Sequence, residues 1–263
     1  MEGGLNQLAR SIASSVELLP LVYKDLAQPS VQKAGKALET VVGLGNTALL
    51  PILLLNEKTN YWFTKHMENY KVKLDTIPAE KVCPVPPELG VPLLEKLTYT
   101  TNDDLADLFT TLLAKASSIE TANEAHPKFV SIISLLSADE AKIIKHIKDD
   151  LIYTNLLLYL KDDEGYFEIS SYLTSLVEEL DFIFPDNDRV YLQNLITLGI
   201  LSDAYPSKKI NPEKYEKLHN FYRLYPEEGK KILGDRFGKT EWVDSHFKLT
   251  DLGRLFIKSC NIL

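Results

Sequence analysis

Five histidines, two cysteines and a tight group of aspartates are the side chains of this 263-residue chain best suited to chemistry. The histidines are His66, His126, His146, His219 and His246, and none stands in the H-E-x-x-H pattern that sets two imidazoles on one helical face around zinc. His146 and Asp150 are spaced to share a helix face, yet two ligands do not close a metal site. Asp103, Asp104 and Asp107 crowd three carboxylates together, but Asn102-Asp103-Asp104 suits a helix start and Asp107 a solvated face. Cys83 and Cys260 lie far apart and offer neither a disulfide framework nor a zinc spacing, as expected of free thiols in a reducing cytosol. There is no G-x-S-x-G elbow and no Walker loop, and Gly43-Leu44-Gly45 lacks the third glycine and the preceding strand of a dinucleotide loop. The expectation is a protein with no catalytic, cofactor-binding or metal-binding residue, no cofactor and no enzymatic activity.

Attention therefore moves to surfaces. From Thr40 to Asn56 seventeen residues pass without a charge, between Glu39 and Glu57. Leu44, Leu49, Leu50, Pro51, Ile52, Leu53, Leu54 and Leu55 make this a candidate membrane or partner segment. A bilayer span needs about 20 apolar residues, and Gly43, Gly45, Asn46, Thr47 and Pro51 interrupt this shorter run. Its possible fates are a buried helical hairpin bent near Gly45 and Pro51, a segment released to a membrane interface, or a partner contact.

The elements that must position such surfaces read as two modules. Residues 1–136 are expected to be helical, with amphipathic spacing in Leu5, Leu8, Ile12, Val16 and Leu19. A second helix starts at Pro29, and a third runs over Glu57–Lys73. Pro78, Pro84, Pro86, Pro87 and Pro92 predict an extended strap over 76–92. Helices resume after Asn102 and Pro127, and Ser137-x-x-Glu140 is a capping box.

Past Asp150 the apolar period shortens toward two. Leu156–Leu160 and Tyr166–Ile169 predict a β-hairpin with Gly165 at positive φ. Helices are expected over Tyr172–Phe184 and Arg189–Leu198, strands over Ile200–Asp203 and His246–Thr250, and a last helix over Asp251–Ser259. That order, over 137–263, is that of an α+β winged-helix-like module whose wing is expanded by a helical insert at 205–245. The whole chain is thus expected to be mainly α. The insert gathers Tyr205, Tyr215, Phe221, Tyr222, Tyr225 and Trp242, a candidate interaction surface because interface hot spots favour aromatic rings.

Charge narrows the partners. The net charge is −8, and residues 137–263 hold 17 basic against 22 acidic residues. The helix that would read DNA, near Asp186–Leu198, sets one Arg against two Asp. Nucleic acid is not expected as a partner, since phosphate binding needs clustered cations. The opening M-E-G-G-L-N-Q is expected to act neither as a secretory leader nor as a myristoylation signal.

Longer phrases point to a family. V-Y-K-D-L-A-Q-P-S-V-Q-K-A-G-K-A-L-E-T-V-V-G-L-G-N over Val22–Asn46, L-F-T-T-L-L-A-K-A over Leu108–Ala116 and H-P-K-F-V-S-I-I-S-L-L-S-A-D-E-A-K-I-I over His126–Ile144 resemble the Abi-alpha family, the abortive infection alpha proteins of bacteria. So do Leu50-Pro51, L-T-Y-T at Leu97–Thr100, L-G-I-L at Leu198–Leu201 and L-T-D-L-G-R-L-F at Leu249–Phe256. The resemblance implies a role in antiviral defence and carries over no catalytic residue. With the residue reading, it leads to a cytoplasmic, non-enzymatic defence protein that works through a protein partner or self-association. The alternatives are a membrane-perturbing effector using 40–56, membrane-associated on activation, or a DNA-binding regulator.

Overall fold

The computed structural model describes residues 29–48, 57–161 and 165–260. The protein is mainly helical with a four-stranded antiparallel sheet. Its contacts form two compact units, Met1–Ala141 with Leu255–Leu263, and Lys142–Arg254. A division at 136/137 is what the sequence suggests; the contacts divide inside helix α6 (Ala138–His146) and again inside the last helix, α11 (Asp251–Cys260).

The first unit holds α1 (Pro29–Ala48), α2 (Glu57–Asp75), α3 (Pro87–Tyr99), α4 (Asp103–Ala116) and α5 (Lys128–Ser134). Leu74, Leu93, Leu97, Leu108, Leu112 and Leu113 are shut from solvent at its centre. Helix α4 forms because the Asn102 side chain accepts the Leu105 amide at 3.1 Å, because Asp103 and Asp104 sit where the dipole favours anions, and because its leucines share one face. The aspartate group is dispersed into tethers: Lys65 reaches Asp103 and Lys73 reaches Asp107, each at 2.6 Å, joining α2 to α4.

The proline strap is shorter than expected. Around Val82–Pro86 the chain is extended, and the Cys83 and Val85 amides donate to Ser117 and Ala37 carbonyls, both at 2.8 Å. From Pro87, however, it is helix α3, with Pro92 inside. Pro87 loses nothing at the first helical position, where amides have no partner. Pro92 removes one hydrogen bond, and burial of Leu89, Leu93, Leu94 and Leu97 offsets that cost.

The capping box at the start of α6 is formed: the Glu140 amide donates to Ser137 Oγ at 3.2 Å, and Glu140 Oε2 accepts the Ser137 amide at 2.6 Å. Next come β1 (Leu151–Leu160), β2 (Tyr166–Leu173), α7 (Leu176–Glu179), α8 (Asp188–Thr197), β3 (Leu201–Asp203), α9 (Pro212–Phe221), α10 (Tyr225–Leu233) and β4 (Phe237–Leu249). The strand order is β2-β1-β4-β3. Gly165 takes φ +125° in the expected hairpin.

Two expectations fail here. Tyr172–Phe184 is not a helix: β2 runs on to Leu173, where the side chain packs on Leu218 and Tyr222, and only Leu176–Glu179 is α-helical. Within the insert the α-helices are α9 and α10 alone, because from Phe237 the chain is strand β4, paired with β1 from Phe237 to Phe247. Its strand conformation follows from the pairing with β1 rather than from any alternation in F-G-K-T-E-W-V-D-S-H-F.

The two C-terminal phrases of the sequence meet at one junction. Helix α8 ends with the Ile200 amide donating to Leu195 and the Gly199 amide to Ile196, both at 2.9 Å, with Gly199 at φ +78°. That is a Schellman closure, and it needs a residue tolerant of positive φ. Thr250 Oγ then donates to the Gly199 carbonyl and accepts the Gly253 amide at 2.8 Å, capping α11. No helix among the described residues is long and apolar enough to cross a membrane.

Candidate functional site

Register places Thr154, Leu156 and Leu158 of β1 opposite Asp244, Trp242 and Thr240 of β4, on one face of the sheet. Helix α9 lies against that face. Its Tyr215 hydroxyl donates to the Ser245 carbonyl at 2.8 Å, and Tyr222 donates to the Thr174 carbonyl at 2.9 Å. Burial pushes both phenols above their usual range, so both remain protonated donors. Leu173, Leu218 and Tyr222 form a small core, with Tyr225 and Trp242 packed on it.

Beside this core sits a polar knot. Asp244 Oδ1 takes a hydrogen bond from Thr154 Oγ at 3.0 Å and lies 2.7 Å from His219 Nε2; the His219 ring stacks on Trp242 at 5.0 Å. Hydroxyl, imidazole and carboxylate are the components of a nucleophilic triad, but the connectivity is not. The Thr154 proton goes to the carboxylate rather than to the imidazole, and Thr154 has no solvent access. The knot clamps α9 to β1 and β4.

Outside the clamp the surface turns apolar. Asp186, Asp188 and Arg189 act electrostatically on Tyr225, whose hydroxyl is raised first by burial and then by the Asp188 charge. Asp188 at the start of α8 is thus within electrostatic reach of the Tyr225 hydroxyl. Phe184 is 62% exposed and Leu224 64%, with Ile183, Val190 and Phe221 also exposed. Large apolar side chains left in solvent are candidates for a contact site.

The aromatic residues singled out in the sequence thus separate. Tyr215 and Tyr222 are buried braces, Tyr225 and Trp242 are half-buried supports, and Tyr205 and Phe221 are exposed. Ile183, Phe184, Val190 and Leu224 are exposed as well, without having been picked out. The signal was present in F-I-F before Pro185 and in Val190 on the polar side of D-R-V-Y-L-Q-N-L. Of the apolar run, Leu44 belongs to the backbone of α1, while Leu49, Leu50, Pro51, Ile52, Leu53, Leu54 and Leu55 lie outside the described residues.

A cleft of about 340 Å³ opens near the end of α6, lined by His146, Asp150, Glu178, Glu179, Lys214 and Lys217 among others. His146 and Asp150 do not share a helix, since α6 ends at His146, which pairs with Glu179 at 2.8 Å. Asp150 instead faces Lys209 at 2.5 Å and Arg254 at 3.6 Å, and accepts the Leu249 amide at 3.1 Å. Burial pushes its carboxyl up, but those bonds and charges outweigh burial and hold it below the ordinary value. Among the described residues no group of three or more His, Cys, Asp or Glu side chains is placed to hold a metal ion.

Comparison with known proteins gives one family. A family model described as "Abortive infection alpha" matches residues 57–260. No curated protein matches the chain. A solved structure of an uncharacterized protein from the hydrocarbon-degrading marine bacterium Alcanivorax borkumensis SK2 aligns at 15% identity, covering 54% of this chain and 96% of that one, with a TM-score of 0.28. That likeness is too loose to carry a fold across.

Proposed function

The chain belongs to the abortive infection alpha family, and from that premise we propose that it is a bacterial antiviral defence protein, cytoplasmic and non-enzymatic, acting through contact with another protein. The carrying observation is the set of exposed apolar side chains Ile183, Phe184, Val190, Phe221 and Leu224, of which Phe221 packs edge-on against the buried Tyr222 ring. Rigid rings backed by a packed core are what a hot spot requires. The order of strands also supports reading 137–263 as a winged-helix-type contact module: β3 and β4 form the wing and β1 pairs with its returning strand, with α9 and α10 inserted.

The test is phage challenge of bacteria expressing the full chain or its F184D/L224D variant. Both positions are exposed, so the variant is expected to fold, as circular dichroism would verify. Protection is expected to fall to the level of cells lacking the protein. Undiminished protection by a folded variant would remove these side chains from the mechanism.

A further inference from the structure

The sheet has two edges, and they differ. Strand β3 is three residues long. Strand β2 has eight, and among the described residues no backbone hydrogen bond joins it to anything but β1.

Which of its backbone groups face outward follows from the ladder. The Leu160 amide donates to the Gly165 carbonyl at 3.0 Å, so that pair is hydrogen-bonded. Antiparallel pairs alternate, which makes Leu158–Phe167 the next bonded pair. Tyr159–Tyr166 and Leu157–Glu168 are the non-bonded pairs between and beyond, so Tyr166 and Glu168 direct N–H and C=O away from β1. Tyr166, Phe167 and Glu168 are all exposed. Edges are commonly blunted by proline, lysine or a bulge. Here the ladder irregularities lie beyond Leu157, and Tyr172 takes φ +57° further still; Tyr166–Glu168 contains neither proline nor lysine.

We propose that β2 joins two copies of this chain, the strands pairing antiparallel about a two-fold axis at Phe167. In that register Tyr166 of one copy opposes Glu168 of the other, and their outward amides and carbonyls bond to each other. Phe167 then faces its symmetry mate in a non-bonded pair, the kind that brings side chains closest. The charges favour this register. An axis at Glu168 would set two carboxylates against each other, whereas the axis at Phe167 opposes ring to ring and tyrosine to glutamate. The result is an isologous interface that continues the four-stranded sheet into a second copy. The pairing uses backbone groups of Tyr166 and Glu168 and none of the side chains proposed for contact on α8–α10, so either can stand without the other.

Sedimentation equilibrium on the full chain tests it, with two variants. Glu168→Pro deletes an outward amide and no bond to β1, a placement that edge strands tolerate. It is expected to weaken the dimer about tenfold or more, the loss of two intermolecular hydrogen bonds by symmetry. Phe167→Cys brings two thiols within about 5.5 Å across the axis, so mild oxidation is expected to give a covalent dimer. The wild-type chain, whose Cys83 is half-buried and Cys260 buried, sets the background. A wild-type chain that stays monomeric overturns the proposal. So does a dimer that ignores Glu168→Pro and leaves Phe167→Cys uncrosslinked. Should Glu168→Pro misfold, the cysteine variant decides alone.

Discussion

The two units specify their structures with different kinds of interaction. The first relies on volume. Its interior is mostly leucine on α3 and α4, and its polar devices lie largely at the ends or outside of helices, as with the Asn102 cap and the Lys65–Asp103 and Lys73–Asp107 tethers. The second relies on direction. Tyr215, Tyr222 and Thr154 each aim a hydroxyl at one particular oxygen, and Tyr153 donates to Asp203 at 2.6 Å. A leucine contact survives small rotations, but a hydroxyl bond does not. The sheet unit must hold a register, in which a slip of one residue turns every side chain to the wrong face, so direction-dependent bonds suit it.

The comparison predicts where each unit breaks. Leu108→Ala removes a fully buried side chain between helices and is expected to cost about 3–4 kcal/mol. Leu108→Met, which roughly conserves volume, should cost less than about 1.5 kcal/mol. The second unit has a site without that tolerance. A Cβ on Gly253 would stand 2.2 Å from the Ile200 carbonyl oxygen, a backbone atom fixed by the α8 closure. Gly253→Ala is expected to cost about 3 kcal/mol or more, and Gly253→Ser no less. Urea unfolding followed by circular dichroism measures all four. A mild Gly253→Ala would show that the junction yields.

Hydroxyl deletions come next in size. Tyr222→Phe leaves the Thr174 carbonyl buried without its donor and should cost about 1–2 kcal/mol. In the first unit Tyr70 bonds Ser117 Oγ at 2.7 Å, but Ser117 Oγ also donates to the Leu113 carbonyl at 2.7 Å. Tyr70→Phe leaves Ser117 Oγ its bond to the Leu113 carbonyl and should cost less than about 1 kcal/mol. Equal losses would erase the distinction between the units.

That distinction also explains what the sequence revealed. Helix starts were legible, because a cap is a local event: Asn102 and Ser137 with Glu140 both read correctly within a turn. The hairpin was legible from Gly165 and the period of two. Helix α3 was not, because burial of four leucines outweighs Pro92 and burial is a property of the whole unit. Nor was most of β4: its end was expected as a strand over His246–Thr250, but the rings before it suggested a surface, while pairing with β1 makes Phe237–Ser245 strand as well. The proposed contact residues were half legible. Phe221 announced itself as an aromatic among charges, but Phe184 and Leu224 qualify only by exposure, which depends on how neighbouring segments fold back.

The smallest effect at neutral pH is the one that acid reveals, and it separates the units again. His66 is fully buried, with Nε2 donating to the Thr100 carbonyl at 2.8 Å, so Nδ1 is bare. Burial above all holds its pKa below the ordinary 6.5; the Lys65 charge adds to this, and the Thr100 bond and Asp103 oppose it. Between the two values the unfolded chain binds a proton that the folded chain does not. Stability therefore falls as pH drops below 6.5, until the folded pKa is reached. Asp150 is shifted in the same direction but titrates in a lower range: its contribution is complete above the ordinary 3.8 and is lost only as pH falls from there toward the folded value. Hydrogen exchange corrected for intrinsic rate should show α2 and α3 losing protection first, while β1 and β4 hold until the carboxylate range. His66→Gln, which keeps a donor for Thr100 but cannot titrate, should remove the first loss and leave the second. An unchanged first loss in that variant would assign it to another group.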